Sequence, residues 1–102
     1  MVVTTTTASV EAAEALARRL IGARLAACVQ ITPIVSLYAW RGNTAREAEA
    51  LLTIKTRTSL FAAVEAAIRE GHDYEVPEII GVAVACASAD YLSWLMEATD
   101  PT

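Results

Sequence analysis

The chain has 102 residues, 55% of them hydrophobic, and a formal charge of −4. That length suits one domain, 1–102, able to bury about 60–65% of its unfolded surface. One lysine and seven arginines are scattered among twelve acids with no basic run, so the electrostatic footprint of nucleic-acid binding is missing.

The apolar share exceeds the ~45–50% usual for soluble domains, although alanine supplies much of it. A small domain with surplus apolar surface is expected to bury it against copies of itself. No membrane association is expected, because the longest apolar run, Ile79 to Ala87, is far below the roughly 18 residues of a spanning helix. The first residues also lack the charged-then-apolar pattern of a signal peptide. Cys28 and Cys86 are too few for a disulfide scaffold, which makes a reducing cytoplasm the expected location.

Val2-Val3-Thr4-Thr5-Thr6 is β-branched throughout and predicts a first strand. Ser9 is placed to cap a helix whose apolar face is Val10, Ala13, Ala17, Leu20 and Ile21, with Gly22 as its stop. From Cys28 to Trp40 the period changes to two. One face carries Val29, Ile31, Val35, Leu37 and Ala39; the other carries Cys28, Gln30, Thr32, Ile34, Ser36, Tyr38 and Trp40. The second face turns aromatic towards its end, so a neighbouring subunit is expected to cover it. Pro33 cannot donate to a ladder and points to an edge, bend or bulge.

Arg41-Gly42-Asn43 is a turn signal. Residues 45–52 are strong helix formers, yet Ala48, Ala50, Leu52 and Ile54 alternate with Glu47, Glu49, Leu51 and Thr53. The alternation favours a strand pairing back on Cys28–Trp40. Ser59 is placed to cap a second helix buried through Leu60, Phe61, Val64, Ala67 and Ile68, with a Glu65–Arg69 pair and a Gly71 stop. Ile79 to Ala85 is apolar on both faces and reads as an interior strand. Ser88 and Asp90 open a terminal helix with Tyr91, Leu92, Trp94 and Leu95. The order is β-α-β-β-α-β plus a helix, an α+β ferredoxin-like split βαβ. That arrangement by itself fixes no chemistry.

Nucleotide, phosphate-loop and nucleophile-elbow motifs are absent. His72, the single histidine, stands in His72-Asp73-Tyr74-Glu75-Val76-Pro77-Glu78-Ile79-Ile80. Beyond a helix end it suits the negative pole of the dipole, and Pro77 pushes Val76 towards extended geometry. As a loop residue it is expected to add little packing. The stretch therefore reads as a helix-to-strand junction or as a site. Chemistry from a Cys28–His72 pair, or from Lys55, His72 and Glu75 as acid–base groups, requires the fold to bring them together. Lys55 otherwise reads as a strand-end charge paired with an acid, and Glu47 and Glu49 as a solvated strand face or as alternate carboxylates able to bind a hard cation.

Leu25-Ala26-Ala27-Cys28-Val29, Tyr38-Ala39-Trp40-Arg41-Gly42 and Ile54-Lys55-Thr56 occur in that order. They are followed by His72 to Ile79 and by Asp90-Tyr91-Leu92-Ser93-Trp94-Leu95. In this order and spacing the chain resembles the CutA family, the divalent-cation-tolerance proteins, over essentially its whole length. The resemblance implies a homotrimer of interlocked sheets in which the long hairpin reaches onto the next subunit. It also implies a strand over Thr44–Thr56 and a role in the response to divalent metal ions, with copper binding in some members.

The family motif falls on Trp40, Gly42, Glu49, Lys55, Thr56, Tyr74 and Pro77 as an inter-subunit cleft, and on Cys28, His72, Glu75 and Glu78. Asp73 stands where the family usually has proline, and Gln30 where asparagine is common. Thr5 and Gly71 stand where some members carry a cysteine and a second histidine. The expected function is weak, non-catalytic binding of copper(II) or another divalent cation, centred on His72 with Cys28, Glu75 and Glu78. The family trimer resembles that of PII-like signalling proteins. The alternative function is therefore a regulatory module that takes a protein partner or a small anionic ligand in the cleft.

Overall fold

The structure, a computed structural model, describes residues 1–99. Strand β1 (Val2–Thr7) leads into helix α1 (Val10–Gly22), and strands β2 (Cys28–Trp40) and β3 (Asn43–Lys55) form a long hairpin. A short 3-10 turn over Thr58–Leu60 opens helix α2 (Phe61–Glu70), followed by strand β4 (Ile80–Val82) and helix α3 (Ala89–Ala98). The sheet order is β2-β3-β1-β4, and every pairing is antiparallel. This is the ferredoxin-like arrangement expected from the element order.

The local chemistry explains most of the boundaries. Ser9 accepts a hydrogen bond from the Ala12 backbone N–H at 3.1 Å, satisfying one of the free donors of the first turn of α1. The hairpin turns through Arg41 and Gly42, with φ of 50° and 81°, between the paired residues Trp40 and Asn43. Two positive-φ residues match the twist of an antiparallel hairpin, and glycine takes such a φ without strain. Pairing along all thirteen residues of β3 overrides the helix propensity of 45–52. Pro33 lies on β2, an edge strand, and the register passes through Pro33 and Ala50 without a bulge.

Val3, Leu52 and Ile54 on the sheet meet Ala13, Leu16 and Leu20 of α1 and Val64 and Ile68 of α2 in one core. Three expectations change here. The buried stripe of α1 is Ala13, Leu16, Ala17 and Leu20, while Val10 and Ile21 at its fringes are exposed. Ser59 does not cap α2, because the 3-10 turn places Leu60 at the N-cap position. Ser88 and Asp90 do open α3 as expected, with Ser88 at the N-cap and Asp90 in the first turn. The interior strand expected over 79–85 is a three-residue strand at the sheet edge. Ile80 and Val82 are exposed on the open face of the sheet, while Gly81 on the other face abuts Phe61.

The hairpin outgrows the rest of the sheet. β1 pairs with β3 only from Ala50 to Lys55, so the portion from Ile34 to Glu49 projects beyond it. Directly opposed residues share a face, which puts Val2, Thr4, Thr6, Glu49, Leu51, Thr53 and Lys55 on the face away from the core. Cys28, Ile34, Ser36, Tyr38 and Trp40 share that open face through their pairing with β3.

Candidate functional site

The end of β1 at Thr7, the start of the projecting hairpin and the segment after α2 meet at the head of the sheet. Helix α2 ends at Gly71, and the next residues turn back over β1. His72 is half-buried there rather than loosely placed. Its Nδ1 accepts the Tyr74 backbone N–H at 3.1 Å. Nε2 therefore carries the ring hydrogen and donates it to the Thr6 carbonyl at 2.6 Å. The expectation that His72 adds little packing gives way to a ring fixed at both nitrogens. The rings of His72 and Tyr74 meet edge to face, with centroids 4.7 Å apart.

Tyr74 reaches across to the open face, where its hydroxyl donates to Glu49 Oε2 at 2.7 Å. Glu49 is 9% exposed, unlike the solvated carboxylate expected from its position on the strand. Burial pushes its carboxyl up, but hydrogen bonds from Ser36, Tyr74 and Thr6, with the charge on His72 when protonated, outweigh that and lower it. The Tyr74 phenol is raised by burial first and by the Glu49 carboxylate second. Tyr38 is raised by its hydrogen bond to Glu47, then by burial and by the charges of Glu47 and Glu49. Two tyrosines and two carboxylates thus form one polar strip on the open face.

The rest of the segment points outward. Asp73, Glu75 and Glu78 are exposed, and Pro77 is half-buried. Glu75 pairs with Arg41 of the hairpin turn at 3.0 Å, and the Arg41 guanidinium lies 5.4 Å from the Trp40 ring centroid. The space that a side chain at Gly71 would enter is held by the Arg19 guanidinium, which donates to the Ala67 carbonyl at 3.3 Å.

Cys28 and Lys55 face each other across β2 and β3 at the foot of the sheet, and Lys55 pairs with Val2. Thr6, the partner of His72, lies four residues further along β1, on the order of 13 Å away. Within one subunit Cys28 and Lys55 therefore do not join His72, and neither the thiol–imidazole pair nor the acid–base set forms. Lys55 has no ion pair among the described residues; its ammonium lies 5.8 Å from the Tyr91 ring centroid. Thr56 is buried and donates to the Leu25 carbonyl at 2.6 Å, tying the entry of β2 to the exit of β3.

No cluster of three or more His, Cys, Asp or Glu groups suited to a metal ion forms among the described residues. The donor chemistry nevertheless fits a divalent ion, because an imidazole and three carboxylates occupy the single segment 72–78. Of the residues around His72, sequence reasoning missed Thr6 and Ser36. Ser36 carries an alternation signal like that of its neighbours, whereas the Thr6 contribution through its backbone carbonyl has no side-chain signature.

Similarity to known proteins agrees with this architecture. The family profile of the CutA1 divalent ion tolerance protein matches residues 1–98. The divalent-cation tolerance protein CutA of Thermus thermophilus is 40% identical over 99 residues, 96% of each chain. The structure of the periplasmic divalent cation tolerance protein CutA from Archaeoglobus fulgidus superposes with a TM-score of 0.96 at 33% identity, covering 97% of each chain. CutA1 from Oryza sativa superposes at 0.95 with 41% identity, covering 99% of this chain and 94% of that one. The chain belongs to the CutA1 divalent ion tolerance family.

Proposed function

We propose that the protein is a homotrimeric divalent-cation-tolerance protein of the cytoplasm that binds copper(II) or another divalent ion weakly and without catalysis. The observation that carries the metal reading is the segment 72–78, where a half-buried His72 stands with the exposed Asp73, Glu75 and Glu78 in a chain whose residues 1–98 match the family. Imidazole is the strongest copper(II) ligand in that set, and the carboxylates supply harder oxygen donors. With no cluster formed among the described residues of one subunit, affinity is weak and further donors come from a neighbouring chain. Cys28, on the open face, is the soft donor such a neighbour would present.

The trimer has its own support. Val35 and Leu37 are 52% and 68% exposed, and the outer edge of β4 and the upper edge of β3 lack strand partners within the described residues. Open apolar edges of this kind are normally covered or paired. Trp40, Gly42, Glu49, Tyr74 and Pro77 then belong to the cleft between subunits.

A second reading, a PII-like regulatory module for a small anionic ligand, is favoured by a cavity of about 650 Å³ at the foot of the sheet. Lys55, Thr58 and Ser59 line its polar side, and Tyr91, Leu92 and Met96 its apolar side. Calorimetry with copper(II) chloride on the wild type and on His72→Gln tests the leading reading. Weak binding that drops at least tenfold in the variant supports it. Equal affinities, or no binding to either, would return His72 to a structural role and leave the anion reading in front.

A further inference from the structure

Both ring nitrogens of His72 are engaged, which constrains how any cation can reach it. Coordination needs an unshared lone pair, and only Nδ1 has one, because Nε2 carries the hydrogen. That lone pair already accepts the Tyr74 N–H at 3.1 Å. A cation cannot share it with a donor hydrogen, so residues 73 and 74 must move before Nδ1 is open. Tyr74 is tied down at its other end, where its hydroxyl donates to the buried Glu49 at 2.7 Å. Ligation through Nε2 would be no easier, since it would cost the Thr6 bond and pull a half-buried ring from its seat.

We infer that Tyr74 closes over His72 as an autoinhibitory latch, so that a divalent cation takes Nδ1 only when the latch opens and thereby frees Tyr74 from Glu49. This rests on the reading of His72 as a ligand given above. Three details suit a latch. Nε2 keeps its bond to the Thr6 carbonyl in the open state, orienting the ring as the outer hydrogen bond of a metal-bound histidine does. Glu49 stays beside the Ser36 and Thr6 hydroxyls, which lower its carboxyl independently of Tyr74. Asp73, exposed beside the ring, moves with the latch and is free to add an oxygen donor.

Metal occupancy at the head of the sheet is thereby linked to the polar strip of Glu49, Glu47 and Tyr38 on the open face. Apparent affinity is the intrinsic affinity scaled by the fraction of open latches, so weakening the latch must tighten metal binding.

The test is calorimetry with copper(II) chloride on wild type, Tyr74→Phe, His72→Gln and the double variant. Tyr74→Phe keeps the aromatic ring and removes only the charge-assisted bond to Glu49. It should bind copper(II) about tenfold more tightly than wild type. The gain should vanish in the double variant, which shows that His72, rather than a freed Glu49, takes the metal. If His72→Gln weakens binding while Tyr74→Phe binds no more tightly than wild type, the latch is wrong and the ligand reading stands. If removing His72 changes nothing in either background, both fall. Hydrogen exchange of amides 73–76 in the wild type gives an independent check. Exchange quickens on adding copper(II) chloride if the latch opens, and unchanged or slower exchange contradicts it.

Discussion

The lower and upper halves of the β2–β3 hairpin follow the same alternation but meet different surroundings. In the lower half Val29 and Ile31 pack against the core, where their partners Ile54 and Leu52 are fully buried. In the upper half Val35 and Leu37, on the same face, stand largely exposed because neither helix nor β1 reaches them. A period-two pattern therefore records that a face will be covered and is silent about which chain covers it. β4 teaches the same lesson from the opposite edge, since Ile80 and Val82 on its outer face are as apolar as an interior strand yet stand exposed in one subunit.

Paired substitutions break this comparison most sharply. Leu52→Ala opens a cavity in the lower half and should cost about 2–5 kcal/mol in denaturant unfolding. Leu37→Asp should leave the secondary structure of the chain unchanged by circular dichroism while weakening the assembly. Its unfolding midpoint should then fall with dilution. If Leu37→Asp left assembly intact, the upper half would be surface rather than interface.

The pH dependence of stability separates the polar strip from the rest of the open face by a smaller effect. The Glu49 carboxyl is lowered in the folded state, so its contribution is present above the ordinary carboxylate value of 4.5 and is lost as pH falls through the folded value. The Tyr74 phenol is raised, so its contribution is present below its ordinary value of 10.0 and fades as pH rises beyond it. Glu49→Gln should therefore flatten the acid side of the stability profile. An unchanged acid limb in that variant would mean that Glu49 is not stabilised as described.

Most of the fold was legible because its signals are local. Ser9 caps α1, Gly42 permits the turn, and the bounds of β2 follow the stretch where the apolar period is two. β3 was harder, since helix formers occupy 45–52 and only pairing with β2 decides between helix and strand. Ser59 failed as a cap because a 3-10 turn took up the residues before α2, an outcome that depends on how Leu60 is buried. The site was legible in part. His72, Tyr74 and Glu49 stand out as residue types, but the bonds that join them depend on the Tyr74 backbone N–H and the Thr6 carbonyl. Every residue carries such groups, so no pattern marks these two. Among the described residues Lys55 meets the Tyr91 ring rather than the acid expected for it, because charge alone does not reveal an aromatic neighbour.

The central claim is that the exposed upper half of the hairpin is covered by neighbouring copies of the chain in a closed threefold assembly. Sedimentation equilibrium at micromolar concentration tests it most directly. The account expects a single species with three times the mass of the chain. A monomer at that concentration would contradict it.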